Sequence, residues 1–369
     1  MSQALRRDAG QILWVGFPGP RVDEELARRL AGGRAGGAIL FARNLATAGS
    51  DGEHDTRAIA ALVADLKTRA PAGEPPPLVC VDQEGGRVQR IRAPLPEWPP
   101  MLAFDEVAGG RAEPLAESVG QAMGAELAAV GIDVDFAPVL DVHTNPDNPI
   151  IGDRAFSRDP GRAAARALAF ARGLRRAGVL GCGKHFPGHG DTQLDSHLAL
   201  PRVDRDRAGL ESIELLPFRR AARDPAIPMV MTAHVVFSAL DDKTPATLSR
   251  RIVTGLLREE LGFSGVVVSD DLDMKAISDH AGAGDAATAA VEAGCDVLLA
   301  CRREDVQDAA YEAIVREGER RPAFRDRVAE AAGRVRALKA APRGQREAPA
   351  ADPARSRELA QELRAGLRR

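Results

Sequence analysis

Acidic, basic and imidazole side chains stand at the ends of five consecutive apolar runs of this sequence. In chain order they are Asp82, the pair Asp141 and His143, the pair Lys184 and His185, His234, and the pair Asp270 and Asp271. Carboxylates, imidazoles and amines are the groups that act as nucleophiles, acids and bases in enzymes. One charged residue at the end of a run is typical of a solvated strand terminus, but five in succession indicate a functional face.

Asp270 is the first candidate for a nucleophile, in the sequence Ser269-Asp270-Asp271-Leu272. Covalent attack requires a carboxylate whose direction is fixed, and a residue at the end of a rigid strand meets that requirement. The alternative is an acidic pair that caps the following helix. We therefore expect Asp270 in the catalytic site, with Asp271 and Asp273 as the next candidates.

Three of the seven histidines lie within the thirteen residues from His185 to His197, in the segment KHFPGHGDTQLDSH. Such a density is typical of a metal site, but Lys184 would place a cation beside the ligands and the HExxH spacing is missing. We therefore predict no metal. The glycines and the proline instead predict a mobile loop that carries an imidazole over a substrate. Asp195 can orient His197 as an acid/base pair, the alternative being an incidental Asp–His pair on a surface loop.

The segment DQEGGRVQR, over residues 82–90, combines an acid, two arginines and two glycines directly after an apolar run. Glycines let the backbone approach a ligand closely. Asp82 and the arginines can grip sugar hydroxyls or an anion through paired hydrogen bonds. The alternative is a helix-capping turn with surface arginines.

Eight short apolar runs alternate with segments of helical spacing, and this pattern predicts how the polar groups meet. The predicted strands are Ile12–Phe17, Gly37–Phe41, Leu78–Asp82, Asp133–Leu140, Val179–Lys184, Met229–His234, Gly265–Asp270 and Asp296–Ala300. The predicted helices are Glu24–Leu30, Arg57–Arg69, Ala116–Val130, Ala163–Ala177, Arg207–Ala222, Ser249–Leu261, Ala283–Ala293 and Val306–Arg316. The alternation predicts an α/β fold, a (β/α)8 TIM-type barrel whose carboxyl strand ends share one face. An open doubly wound sheet is the alternative, and the missing G-x-G-x-x-G fingerprint disfavours it.

The domain organisation predicted from these elements is one catalytic barrel over residues 1–341 and a tail over residues 342–369. A further helix over Ala323–Ala340 packs back on the barrel, with Val328, Val335 and Leu338 at core spacing. The tail is rich in Pro, Ala and Arg, which predicts a flexible first half. Leu359, Leu363 and Leu367 recur every four residues and predict a short helix at its end.

Composition excludes several classes of partner and setting. A net charge of −3 on 369 residues gives no global field for nucleic acid or an anionic membrane. The four cysteines form no CxxC pair, so we expect buried free thiols in a reducing compartment. Because the N-terminus lacks a signal-peptide pattern and no run approaches the ~20 apolar residues of a membrane span, we expect a cytoplasmic protein.

Five segments of the chain resemble signatures of one enzyme family, and they occur in that family's order. They are DQEGGRVQR, IIGDRAFSRDP, KHFPGHGDTQLDSH, MTAHV and VVSDDLDM. Between residues 10 and 340 the sequence is similar to the family 3 glycoside hydrolases, specifically the β-N-acetylglucosaminidases. KHFPGHG followed by D-S-H separates them from the family's β-glucosidases, which take a glutamate from a second domain.

The resemblance implies a role for each matching residue. Asp270 would be the nucleophile of a retaining hydrolase, and His197 would be the acid/base with Asp195 as its partner. The residues implied to bind the N-acetylglucosamine are Asp82, Arg90, Arg154, Lys184 and His185. A histidine acid/base departs from the two-carboxylate norm of glycosidases. No cofactor is implied.

The resemblance also implies a setting, because short single-domain members look like the peptidoglycan-recycling type that acts on 1,6-anhydro-muropeptides. The expected partner is therefore an N-acetylglucosamine-containing saccharide, bound by a monomer. Two other functions remain open at this point. A neutral imidazole base would not repel phosphate, so a phosphorylase is one alternative. A non-catalytic sugar-binding barrel is the other, and intact Asp270, His197 and Asp195 disfavour it.

Overall fold

Eight parallel strands close into a barrel in the computed structural model, which describes residues 3–48, 53–192, 200–278, 282–341 and 350–366. The strands are β1 Leu13–Val15, β2 Gly37–Leu40, β3 Leu78–Val81, β4 Val134–Asp135, β5 Leu180–Phe186, β6 Met229–Thr232, β7 Val266–Asp271 and β8 Val297–Ala300. Each strand pairs with its neighbours in chain order, and β8 closes on β1 with Leu13 opposite Leu298. The predicted (β/α)8 barrel is confirmed, and the open sheet is excluded.

Helices surround the barrel, with at least one between each pair of consecutive strands. They are α1 Gln3–Gln11, α2 Glu24–Ala31, α3 Thr56–Thr68, α4 Ala112–Ala129, α5 Pro160–Arg176, α6 Arg207–Ser212, α7 Leu215–Ala221, the π-helix α8 Arg251–Glu260, α9 Lys275–Ser278, α10 Ala283–Ala293, α11 Glu304–Arg320, α12 Pro322–Ala340 and α13 Pro353–Gly366. Aspartates start several of them, because a side-chain oxygen accepts from the otherwise unpaired amides of the first turn. Asp23, Asp159 and Asp206 do so for α2, α5 and α6. Helix α1 lies outside the sequence prediction.

Two apolar layers hold the barrel together. The interior is filled by side chains from alternate strand positions, among them Trp14, Cys80, Phe136, Cys182, Met231, Val268 and Leu299. Branched and aromatic residues fill the space between strands and helices in a larger cluster. All four cysteines are buried and free, as the sequence predicted. The interior is therefore packed rather than open, which leaves the strand ends as the place for a site.

Two predicted elements differ most from the structure, and each contains a proline. The run Asp133–Leu140 forms a strand only over Val134–Asp135, since Pro138 has no N–H for the ladder. Beyond it, Leu140 still donates to the Lys184 carbonyl at 2.6 Å. The single helix predicted over Arg207–Ala222 is two helices, α6 and α7, and Pro217 stands in the first turn of the second, where a missing N–H is tolerated.

The C-terminal part of the chain packs on the barrel twice. Helix α12 closes the amino end of the barrel, where Val335 and Leu338 join the interior cluster. Helix α13 buries Leu359 and Leu363 against the outer cluster. Leu367 and residues 342–349, which belong to the first half of the tail that was predicted to be flexible, lie outside the described residues. Within that half, α13 already begins at Pro353. Among the helices that the structure describes, none has the length and apolar content needed to cross a bilayer.

Candidate active site

A cavity of about 420 Å³ opens at the carboxyl ends of the barrel strands. It is lined by the candidate nucleophile Asp270 and by all five residues implied to bind sugar, which are Asp82, Arg90, Arg154, Lys184 and His185. These six residues lie at the ends of β5 and β7 or in the segments that follow β3 and β4, so only the closed barrel brings them together. The structure thus places six of the eight predicted site residues around one cavity.

The segment after β3 forms a two-stranded antiparallel ribbon, with Gln83–Gly85 paired to Val88–Gln89. The reversal uses Gly85 and Gly86, whose φ angles of 94° and 56° are unfavourable for other residues. A Cβ on Gly86 would also lie 2.9 Å from the Cα of Pro100. The ribbon carries sugar-binding candidates at both ends, so the alternative of a helix-capping turn is wrong.

A network of buried charges joins the ribbon to β5. The Lys184 Nζ lies 2.7 Å from Asp82 Oδ1 and 2.6 Å from Glu84 Oε1. Arg154 donates to both oxygens of Glu84, at 2.7 and 2.8 Å. Arg90 completes the group, with Nη2 3.6 Å from the other oxygen of Asp82. Each buried charge therefore has an opposite partner, which is the condition for stable burial.

This network fixes the charge state of its members. Burial alone would raise the pKa of Glu84, but Arg154 and Lys184 outweigh it and hold that pKa well below its usual range. Burial likewise opposes the charge on Lys184, yet Asp82 and Glu84 raise its pKa above the usual range. The cavity wall therefore presents permanent ionic groups, suited to binding hydroxyl groups by charge-assisted hydrogen bonds.

Asp141, which follows β4, orients the start of the histidine-rich segment. Its Oδ2 lies 2.7 Å from His185 Nδ1, and its Oδ1 accepts from the His189 backbone N–H at 2.7 Å. Burial opposes its charge, but the nearby His185 outweighs burial and lowers the pKa of Asp141. Burial and the nearby His185 lower the pKa of His189 to about 4. With Nδ1 occupied by a carboxylate, His185 has Nε2 as the ring nitrogen for a ligand.

The two acids that end β7 have different surroundings. Asp271 Oδ1 accepts backbone N–H groups from Asp273 at 3.1 Å and from Cys301 at 3.0 Å, which ties β7 to β8. Burial raises the pKa of Asp271 to about 7. Asp270 Oδ1 accepts the N–H of Asp271 at 2.8 Å, which fixes its carboxylate at the cavity wall. Asp271 is thus engaged in holding the strand ends, and Asp270 is the better candidate for attack.

The described residues do not bring two groups of candidates to this cavity. Asp195 and His197 lie outside the described residues, which stop at Thr192 and resume at Leu200. His143 and His234, expected on the functional face, are not among the described residues that line the cavity. His234 instead bonds Thr247 at 2.8 Å and the Asp271 carbonyl at 3.0 Å, so it supports the turn after β7. Within the described ranges, no three potential metal ligands cluster.

Sequence reasoning missed several residues of the cavity wall. Glu84 stands two residues after Asp82 in the same motif, and the alternation of a β-ribbon would have placed both on one face. Phe41, Arg43 and Arg302 line the mouth from the loops after β2 and β8. Arg43 lies over the Phe41 ring, 4.5 Å from its centroid. These loop residues follow no periodic pattern, so no signal in the sequence identified them.

The comparisons with known proteins agree with this geometry. Residues 4–338 match the family model described as Glycosyl hydrolase family 3 N terminal domain. The Beta-hexosaminidase of Methylococcus capsulatus (strain Bath) is 40% identical over 296 residues, 80% of this chain and 84% of that protein. The Beta-hexosaminidase of Chromobacterium violaceum is 40% identical over 329 residues, 88% of this chain and 87% of that protein. The protein is a glycoside hydrolase. It belongs to family 3 of these enzymes, as its signatures predicted.

Solved structures show the same relationship. A family 3 β-N-acetylglucosaminidase from Paenibacillus sp. str. FPU-7 superposes with a TM-score of 0.87 at 36% identity, over 98% of this chain and 68% of that one. NagZ from Neisseria gonorrhoeae, in complex with N-trifluoroacetyl-D-glucosamine, superposes with a TM-score of 0.72 at 34% identity. That alignment takes in 88% of this chain and 98% of NagZ. Both structures therefore share the barrel described here.

Proposed function

We propose that this enzyme is a retaining exo-β-N-acetylglucosaminidase, which removes terminal β-linked N-acetylglucosamine through a covalent sugar–Asp270 intermediate. One observation carries the proposal: Asp270 faces the same cavity as the ionic network of Asp82, Lys184, Glu84 and Arg154. A nucleophile is thereby paired with groups that bind hydroxyls. The names of the similar proteins, Beta-hexosaminidase and β-N-acetylglucosaminidase, support the choice of sugar.

The shape of the cavity supports attack at a chain end. Its floor is the packed barrel interior, with Phe136, Met231 and Leu299 among the lining residues. The closed floor is compatible with binding of a terminal sugar, which the names of the similar proteins favour. We assign its hydroxyl and acetamido groups to Asp82, Arg90, Arg154, Lys184 and His185, as the family resemblance implies.

In the proposed mechanism, the Asp270 carboxylate attacks C1 on the face opposite the leaving oxygen. The C1–O bond breaks, its electron pair goes to the oxygen, and His197 supplies the proton. Water then gives a proton to His197 and attacks C1, which releases Asp270 and yields the sugar with its configuration retained. Asp195 stabilises the imidazolium form that the first step requires.

The proposed setting is the recycling of 1,6-anhydro-muropeptides in the cytoplasm, by a monomer. The four free, buried cysteines are typical of a reducing compartment.

Turnover of an aryl β-N-acetylglucosaminide against the matching aryl β-glucoside tests the proposal. We expect kcat/KM for the acetylated sugar to be at least about a hundredfold higher, since unpaired polar groups in the site would penalise the glucoside. Equal turnover of both would contradict the sugar assignment, and no turnover would favour a non-catalytic barrel.

The same assay with inorganic phosphate tests whether the enzyme transfers the sugar to phosphate instead of water. A hydrolase yields free N-acetylglucosamine at every phosphate concentration. A phosphorylase yields the sugar 1-phosphate in proportion to the phosphate added, and that product would replace hydrolysis as the assigned reaction.

A further inference from the structure

Helix α13 has no role in the proposed reaction. It packs on the side of the barrel that carries the two-stranded ribbon after β3. Its Leu359 and Leu363 are buried in the outer apolar cluster together with Trp98 and Met101. The helix contacts α4 and the turn Met101–Glu106, which is the next element of the chain after the ribbon. The apolar face that the leucine spacing predicted therefore packs against elements that adjoin the site.

Polar contacts connect α13 and α4 to the segment that follows the ribbon. The Trp98 indole donates from Nε1 to Glu126 Oε2 of α4 at 3.2 Å, and Glu126 is buried. Burial raises the pKa of Glu126, and its hydrogen bond with the Trp98 indole opposes the rise. Arg364 of α13 donates to the Glu97 carbonyl. Residue 97 is thus held by α13 directly, and Trp98 is held by α4, on which α13 packs.

Trp98 passes this constraint directly to the ribbon. Its carbonyl accepts from the Gly86 N–H at 2.8 Å, and its own N–H donates to Gln89 Oε1 at 2.9 Å. Gln83 Oε1 then accepts the N–H of Arg90 at 2.9 Å. Packing and hydrogen bonds therefore connect α13, through α4 and residues 97 and 98, to the ribbon residues that flank Glu84 and Arg90.

The ribbon needs such support because, in the part of the chain that the structure describes, its two strands pair only with each other. An isolated two-stranded ribbon is marginally stable in water. Binding groups must be held within about 0.5 Å of their productive positions to be effective. The Trp98 contacts and the salt bridges to Lys184 and Arg154 are among the contacts that limit its movement.

We propose that α13 is a positioning element for substrate binding, which acts through Trp98 on the ribbon that carries Glu84 and Arg90. The assignment of the affected step rests on the proposed function, since it concerns binding of the terminal sugar. Loosening α13 changes the position of the binding groups and leaves Asp270 on β7 in place. The effect therefore falls on KM more than on kcat.

Leu363→Asp in the full chain undocks α13, and Gln361→Asp on its exposed face is the matched control. We expect Leu363→Asp to raise KM for the aryl β-N-acetylglucosaminide at least about fivefold with kcat within about threefold of the wild type. Gln361→Asp should leave both unchanged. A helix that only stabilises the fold predicts a lower Tm and unchanged kinetic constants per folded enzyme, and that result would overturn the proposal.

Trp98→Phe tests the same path if Leu363→Asp does not fold. It keeps an aromatic ring in the cluster and removes the N–H that reaches Glu126. We expect a smaller rise of KM, about two- to fivefold, at unchanged kcat. An unchanged KM in this folded variant would overturn the proposal.

Amide hydrogen exchange separates failure of this proposal from failure of the proposed function. If α13 supports the ribbon, peptides that cover residues 83–91 exchange faster in Leu363→Asp, or in Trp98→Phe, than in Gln361→Asp and the wild type. This holds whatever sugar the enzyme cleaves. Unchanged exchange over those residues would overturn the supporting role even if the enzyme proved to be a β-N-acetylglucosaminidase.

Discussion

The two ends of the barrel both bury a carboxylate among basic side chains. At the carboxyl end, Glu84 lies between Arg154 and Lys184. At the amino end, Asp296 lies 2.5 Å from both Arg258 and Arg327, and 3.1 Å from Arg334. The Glu84 group lines the 420 Å³ cavity, whereas Asp296 belongs to no part of that wall.

The difference lies in what the charges hold. The partners of Asp296 come from helices α8 and α12, and its Oδ2 also accepts the N–H of Val267 at 3.0 Å. This group ties two helices to the start of β7 and β8. The partners of Glu84 hold a ribbon and a cavity wall. Buried ion pairs of similar chemistry therefore serve stability at one end and ligand binding at the other, in agreement with the division of roles in such barrels.

Exchanging one acid at each end for its amide should separate the two roles most strongly. Asp270→Asn removes the proposed nucleophile, and we expect kcat to fall at least about a thousandfold with Tm unchanged. Asp296→Asn leaves three arginines around a neutral group, which should lower the free energy of unfolding by ~3 kcal/mol. Kinetics and urea unfolding of both variants check this. If Asp270→Asn kept a tenth of the activity, Asp271 and Asp273 would become the candidates.

The loss of activity on removal of the proposed acid should depend on the leaving group. His197→Ala is expected to lose about a hundredfold or more on alkyl and sugar aglycones, which must be protonated as they depart. Aryl aglycones of low pKa need little protonation and should lose much less. Measuring kcat/KM for a series of aglycones gives its dependence on the pKa of the leaving group. Equal losses across the series would assign the loop a structural role instead.

The two bidentate Arg–Glu pairs at opposite ends allow a further comparison. Glu84→Gln weakens the contact with Arg154 and leaves Lys184 with one carboxylate, so KM should rise about tenfold. Glu74 accepts from Arg336 at 2.9 and 3.0 Å at the amino end. Glu74→Gln should therefore change Tm only. A KM that responds equally to both substitutions would show that the two ends are not separate in function.

Glu214 predicts a pH dependence of the free energy of unfolding. It is buried against Gly188, and burial raises its pKa from 4.5 to about 7, with Arg205 opposing the rise. A carboxyl with a raised pKa stabilises the fold below its ordinary pKa and loses that contribution as the pH rises through about 7. Glu214 should therefore account for a loss of up to roughly 3 kcal/mol between about pH 5 and 8, in addition to that from Asp271, whose pKa is raised into the same range. Urea unfolding measures the loss. The Glu214→Gln variant should lose less stability over this range. Parallel curves of unfolding free energy against pH for the two proteins would contradict the raised pKa of Glu214.

Closure of the barrel explains which site residues could be predicted from sequence. Asp82, Lys184 and Asp270 each end a strand, and a closed parallel barrel brings strand ends together whatever the loops do. His143 was misplaced because Pro138 ends β4 early, so that residue follows an irregular segment. His234 ends β6, yet its ring turns to Thr247 and the Asp271 carbonyl, a choice made by tertiary packing.

Local reasoning also missed the support for the site. The segment DQEGGRVQR does not indicate that Trp98 fixes the ribbon, because that contact depends on α4 and α13, which are distant in the chain. The leucine spacing predicted a helix at the C-terminus, but its docking surface exists only in the folded barrel. Periodicity identifies elements, whereas the partners of each element follow from the assembled fold.

The central claim is that Asp270 forms a bond to the sugar, and direct detection of that bond tests it most sharply. An activated 5-fluoro-N-acetylglucosaminyl fluoride slows hydrolysis of the intermediate more than its formation, so the intermediate accumulates. Mass spectrometry of the digested enzyme should then show one added sugar, on the peptide that contains Asp270 and on that residue. A sugar attached to another residue, or none despite turnover of the reagent, would contradict the account.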